Sequence, residues 1–203
     1  MAIDAKLVYD LRGRTGAGIV DCKNALEEAG GNAEQAIEIL KKKGAIKAAK
    51  KTAERQATEG LLATYVHHNG KLAAIVELSC ETDFVARNEE FRQLAQDLAL
   101  QVAATDPQYV SPEMIPAEIL EQKKQEFLAE LAEDKKPEEI KLKIIEGKLN
   151  KWYSDVCLTK QAFIKNEDQT IEQLLNEKIA KIGEKIAPTR MQRMQMAAPT
   201  QTC

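Results

Sequence analysis

Residues 61–80 read LLATYVHHNGKLAAIVELSC, and this stretch decides the fold. Two β-prone runs flank Asn69-Gly70, and both of those residues tolerate positive φ, so the segment predicts a β-hairpin. By alternation Leu72, Ala74, Val76, Leu78 and Cys80 share one face of the second run. Ile75 on the opposite face implies that this side is also partly covered.

The sequence before the hairpin is helical. Leu7, Val8 and Leu11 form a short apolar stripe that stops near Gly13. A second helix runs from about Ile19 to Ala29 and ends at Gly30-Gly31. Asn32 then caps a third, with Ala33, Ala36, Ile37 and Leu40 at helical spacing. Three helices this short bury little, so residues 1–55 read as a small helical module. Its end carries Lys41, Lys42, Lys43, Lys47, Lys50, Lys51 and Arg55 among alanines. This is a solvated helical linker or a basic surface for an acidic partner or RNA; no aromatics interleave to stack bases, which favours the linker.

Beyond the hairpin, Asn88 offers an N-cap for a helix with Phe91, Leu94, Ala95, Leu98 and Val102 on one stripe, stopped at Asp106-Pro107. Two amphipathic arms over about 117–151, broken at Lys135-Lys136-Pro137, suggest an antiparallel helical hairpin. Val156, Leu158, Phe163 and Ile164 read as short strands or extended links. A final helix opens at Thr170-x-x-Gln173, with Ile171, Leu174, Leu175, Ile179 and Ile182 buried. The expected architecture is α+β: an N-terminal three-helix module, then a core over 56–186 with an antiparallel sheet, packed helices and the helical hairpin. Residues 187–203 turn to Pro, Met, Gln and Thr and read as a disordered tail.

Composition excludes several functions. A net charge of -3 argues against wholesale attraction to nucleic acid or membrane, and 4% aromatics against a base-stacking platform. Cys22, Cys80, Cys157 and Cys203 lie far apart with no C-x-x-C pair, so no metal site is expected. Met1 to Lys6 carries no signal run, and no apolar stretch spans a bilayer. The only histidines, His67 and His68, sit in no nucleophile motif, and no G-x-x-x-x-G-K-[ST] loop occurs. Neither an enzyme nor a nucleotide-binding protein is indicated, and no cofactor.

The most distinctive local feature is Thr82-Asp83-Phe84-Val85, between the second β run and the Asn88 helix. Phe84 beside an Asp at such a corner either stands out as a hydrophobic wedge or folds back into the core. By composition alone the second is slightly favoured.

Five segments together resemble one family. They are Arg12-Gly13-Arg14-Thr15-Gly16-Ala17-Gly18 with Asp21-Cys22-Lys23-Asn24-Ala25-Leu26, Gly44 to Lys51, Glu77 to Ala86, Ile145 to Leu149, and Leu158 to Phe163. In this order and spacing they resemble the elongation factor Ts family over about residues 5–186. The resemblance implies a guanine-nucleotide exchange factor, not an enzyme, that binds elongation factor Tu with GDP and speeds GDP release in the cytoplasm, or in the plastid stroma for a plastid-encoded chain. It implies that Thr82, Asp83, Phe84 and Val85 intrude near the magnesium and phosphate side of the partner's nucleotide site. Phe84 would wedge between helices, and Asp83 would disturb groups supporting the partner's Mg²⁺. It places Arg12, Ile19 and Val20 of a UBA-like N-terminal module against the GTPase domain, and His67 in a core contact. Short family members can also pair as homodimers, so the resemblance implies a second copy of the chain as a possible partner, while Pro188, which cannot donate to a ladder, argues against the final strand of a dimer sheet. The alternative is a protein- or RNA-binding accessory translation factor without exchange activity.

Overall fold

The computed structural model describes residues 4–54, 56–131 and 137–196, and in 45–54 the backbone alone. The chain forms two compact units, neither of them one continuous stretch. The first comprises Met1–Leu61, Ser79–Phe91 and Gln173–Ala187; the second comprises Leu62–Leu78, Arg92–Glu172 and Pro188–Cys203.

The first unit opens with helices α1 (Ala5–Thr15), α2 (Ile19–Glu28) and α3 (Ala33–Glu54). Asp4 caps α1 by accepting from the Lys6 N–H at 3.0 Å. The helix ends at Gly16, which is left-handed at φ 67 and donates its N–H to the Arg12 carbonyl at 2.8 Å. Asn32 caps α3 by accepting from Glu34 and Gln35. Val8, Leu11, Cys22, Ala25, Leu26 and Ala36 form the buried cluster of the three helices. Leu7, expected on the same stripe, is exposed.

The basic run expected as a linker is the second half of α3 itself. Lys41 lies 3.9 Å from Glu177, and Lys43 pairs with Glu28 at 2.7 Å. The side chains of Lys47, Lys50 and Lys51, and Arg55 entirely, lie outside the described residues. Helix α8 (Ile171–Ile182) contributes Gln173 onward to this unit. A Cβ on Gly44 of α3 would meet the Ala180 Cβ at 3.5 Å, and one on Gly16 would meet the Lys181 stem at 3.6 Å. A helix from the far end of the chain therefore lies against the N-terminal helices.

In the second unit strands β1 (Glu59–Val66), β2 (Leu72–Cys80) and β5 (Ile186–Gln195) make a sheet of order β1-β2-β5, some of whose strand ends are counted in the first unit. The hairpin closes with His67 N–H to Leu72 O at 2.8 Å, and Gly70 takes φ 67 in the turn. Ala74, Val76 and Leu78 are buried as alternation requires, and the opposite face is partly covered, with Ile75 exposed, Ala73 and Glu77 half-buried and Ser79 buried. Helix α5 (Glu89–Thr105) buries Leu94, Ala95, Leu98 and Val102 on one stripe. Gln101 on α5 is fully buried but satisfied: its amide donates to Gln161 and to the Ala162 carbonyl, and its oxygen accepts from the Ile164 N–H.

Helices α6 (Ala117–Glu130) and α7 (Glu138–Val156) pack together through Lys148, which pairs with Glu130 and lies over the Phe127 ring at 5.6 Å. The turn expected at Lys135-Lys136-Pro137 falls, but for Pro137, outside the described residues. Val156 is helical, not extended, since α7 continues until the Cys157 N–H caps the Tyr153 carbonyl. The short strands β3 (Ala162–Phe163) and β4 (Asn166–Thr170) pair antiparallel.

The C-terminal end corrects the expectation of a disordered tail from 187 and of a missing last strand. Residues 186–195 form β5, with Ile186 and Pro188 buried on alternate positions. Pro188 is tolerated because β5 is an edge strand, where a missing N–H need not break a ladder. Arg190 pairs with Glu77 at 2.6 Å and holds the Glu77 carboxyl below its ordinary range. Arg193 donates to the Ala103 carbonyl at 3.0 Å. Composition without regard to these cross-chain partners misses the strand. Residues 197–203, including Cys203, lie outside the described residues.

Two glycines predict opposite responses to alanine. Gly16→Ala forces a Cβ into left-handed backbone and should cost about 1 kcal/mol, lowering the melting temperature by about 2–4 °C. Gly44→Ala meets only ordinary contact in a helix interior and should stabilise by roughly 0.5–1 kcal/mol. Thermal denaturation of both variants checks the pair of signs.

Candidate partner-binding site

The strand β2 ends at Cys80, and the chain turns through Thr82 into the four-residue helix α4 (Asp83–Ala86). Thr82 is extended at φ -127, ψ 153, and its hydroxyl accepts from the Val85 N–H at 3.4 Å. That is N-cap geometry, and it explains why a Thr followed by Asp starts a helix here. So short a helix has little stability of its own, and no residue of it is buried. It is held from outside.

The holding contacts come from the segment between α8 and β5. The Glu184 carboxylate accepts from the Thr82 N–H at 3.1 Å and from the Thr82 hydroxyl at 2.8 Å. In return the Glu81 carboxylate accepts from the Lys185 N–H at 2.6 Å. The Cys80 thiol donates to the Thr82 carbonyl at 3.2 Å. Burial, and then the Glu184 charge, push that thiol up to about 11, so it stays protonated and serves as a donor.

On this support Phe84 points away from the protein. It is 81% exposed, the most exposed of the large apolar side chains among the described residues. Asp83 and Val85 beside it are half-buried, and Asp83 pairs with Arg87 at 3.0 Å. The pair faces solvent, Arg87 more than Asp83, so it adds little stability. The structure thus answers the open question of which way Phe84 faces: outward, onto a surface with polar flanks.

The second group of candidate residues lies in the same unit. Arg12 is exposed near the end of α1, and Ile19 and Val20 are exposed at the start of α2, Val20 at 70%. Lys181 ties these helices to the corner. Its stem lies along Gly16, and its ammonium meets Glu90 at 2.7 Å, just beyond α4. Lys178 joins the same carboxylate at 2.7 Å. Hydrogen bonds from Lys178 and Lys181 hold the Glu90 carboxyl below its ordinary range.

His67 belongs to the second unit. Its Nδ1 lies 3.0 Å from the Tyr65 hydroxyl, and it is half-buried, while the neighbouring His68 is exposed with its ring 4.2 Å from that of His67. Glu184, Glu81, Lys178, Lys181 and Glu90 were not marked by sequence reasoning. Glu184 and Thr82 are 102 positions apart, and nothing local to either signals the other.

The family model described as elongation factor TS matches residues 23–187, a span that includes the corner and the Glu184 segment. The chain belongs to the elongation factor Ts family. It is 50% identical over 196 residues to an elongation factor Ts of Syntrophus aciditrophicus, covering 97% of each chain. It is 50% identical over 196 residues to that of Fervidobacterium nodosum, covering 97% of this chain and 99% of the relative. With that of Maridesulfovibrio salexigens it shares 52% over 197 residues, 97% of this chain and 95% of the relative. Among the described residues, no helix is long and apolar enough to cross a membrane and no cluster of His, Cys, Asp and Glu could hold a metal ion.

The Glu90 cluster predicts a pH dependence. Because its carboxyl is lowered in the folded state, the group contributes stability above its unfolded value, and this is lost as pH falls through the folded value. Glu90→Gln should therefore cost about 1 kcal/mol at neutral pH, with the difference from wild type fading below about pH 4. Urea denaturation of both proteins at several pH values measures it.

Proposed function

We propose that the Thr82–Val85 corner is the part of this chain that loosens GDP on elongation factor Tu. Guanine-nucleotide exchange on that GTPase is the activity of the elongation factor Ts family to which the chain belongs. A factor that binds the nucleotide-free GTPase more tightly than the GDP form must, by reciprocity, weaken GDP. No bond is made or broken by the factor. What it needs is a rigid apolar group that fits the partner only when the nucleotide pocket is deformed.

The exposure of Phe84 carries the reading. An aromatic ring left 81% in water forgoes roughly 1.5–3 kcal/mol of burial, which a complementary cleft on a partner would supply. Asp83 next to it brings a carboxylate to the same place, suited to competing for groups that support the partner's Mg²⁺. In this reading the N-terminal helices are a UBA-like module that grips the GTPase domain through Arg12, Ile19 and Val20. His67 makes a separate contact from the core, and α6 and α7 form an antiparallel hairpin. The module supplies affinity; the corner supplies displacement.

The two roles separate by measurement. Release of fluorescent GDP from elongation factor Tu is followed while this protein is titrated to saturation. Phe84→Ala should lower the release rate at saturation by at least about tenfold, the scale of one lost apolar anchor. Ile19→Asp should raise the concentration needed for half-saturation by about tenfold and leave the saturated rate near wild type. Equal losses in both quantities for both variants would refute the division of labour.

A further inference from the structure

We propose that Glu184 is a positioning residue for exchange: it holds the Thr82 cap so that Phe84 is presented on a fixed backbone before a partner is met. The proposal rests on the reading of Phe84 as the intruding side chain and adds the device that aims it.

The geometry is specific. A threonine hydroxyl has one proton to give and two lone pairs to accept with. Here the proton goes to Glu184 Oε1 at 2.8 Å, which turns the lone pairs towards the Val85 N–H at 3.4 Å. The second oxygen of the same carboxylate takes the Thr82 N–H at 3.1 Å. The Thr82 carbonyl is also engaged, by the Cys80 thiol and by the Ala86 N–H at 3.2 Å. Every polar group of the residue two positions before Phe84 is therefore fixed, two of them by one carboxylate. Bonds to an ionised acceptor are about twice as strong as neutral ones. The bond from the Lys185 N–H to Glu81 runs the opposite way between the same two segments, so their backbones are tied from both sides.

A helix of four residues, none of them fully buried, has little packing to orient it. Without the clamp, the ring would have to be ordered on encounter, and ordering costs lower the yield of binding energy available for deforming a partner. Glu184 thus acts on the inserted state more than on first contact.

Saturation titrations of GDP release from elongation factor Tu test this with the full chain. Glu184→Ala should lower the saturated rate by about tenfold, the scale of losing two bonds to a carboxylate. Its half-saturating concentration should stay near wild type. Glu184→Gln, which keeps one accepting oxygen, should be intermediate. Thr82→Val with Glu184→Ala should be less slow than the product of the two single losses, because the hydroxyl bond is common to both, while the bond from the backbone N–H of residue 82 is lost only with Glu184. A full saturated rate in Glu184→Ala, or in Glu184→Gln where the alanine variant does not fold, overturns the role of Glu184 provided Phe84→Ala is slow. A full rate in Phe84→Ala overturns the reading of the ring itself, whatever the 184 variants do.

Discussion

The pairing of residues 81–82 with residues 184–185 is the constraint on which the candidate site depends. Each segment offers the other a carboxylate and a backbone N–H, and neither is part of a helix or sheet ladder that would fix it alone. The consequence is local and mechanical. A strand end, a cap and the link before the last strand become one rigid corner, and the short helix on it inherits an orientation it could not maintain by its own hydrogen bonds. In the proposed reading, the exchange activity of the family acts through the ring exposed at this corner.

The first unit repeats the same economy elsewhere. Its three N-terminal helices bury only small and medium side chains, with Leu11 and Leu26 the largest of them. Such a cluster is marginal alone. It gains neighbours from α8: the Lys181 stem on Gly16, Ala180 near Gly44, and the Glu90 carboxylate shared by two lysines. One helix from the far end of the chain therefore supports the exposed Arg12, Ile19 and Val20 while the link that follows it supports Phe84. Both proposed partner contacts lean on α8 and the link that joins it to β5.

Much of the fold was legible because it is set by local chemistry. Asn69-Gly70 gave the hairpin, Asn32 and Asn88 gave caps, and alternation gave the buried face of β2. What was misread depends on partners distant in sequence. Pro188 and a Met/Gln composition suggested a tail, yet an edge position removes the penalty on proline and Arg190 and Arg193 find Glu77 and Ala103. Val156 was taken as extended because its apolar neighbours resemble a strand, although α7 runs through it. For the site, the corner motif was visible, but the direction of Phe84 was not. Composition favours burying a Phe, and the bonds from Thr82 to Glu184 in the same corner span 102 residues and have no local signal.

The most direct test of the central claim asks whether Phe84 touches elongation factor Tu at all. Benzoyl-phenylalanine placed at position 84, and in a parallel sample at position 20, is irradiated in the presence of elongation factor Tu with GDP. A covalent adduct from position 84, suppressed by excess unlabelled wild type, is the expected result. An adduct from position 20 with none from position 84 would mean that the chain binds its partner while the ring stays outside the contact, and the wedge would have to be abandoned.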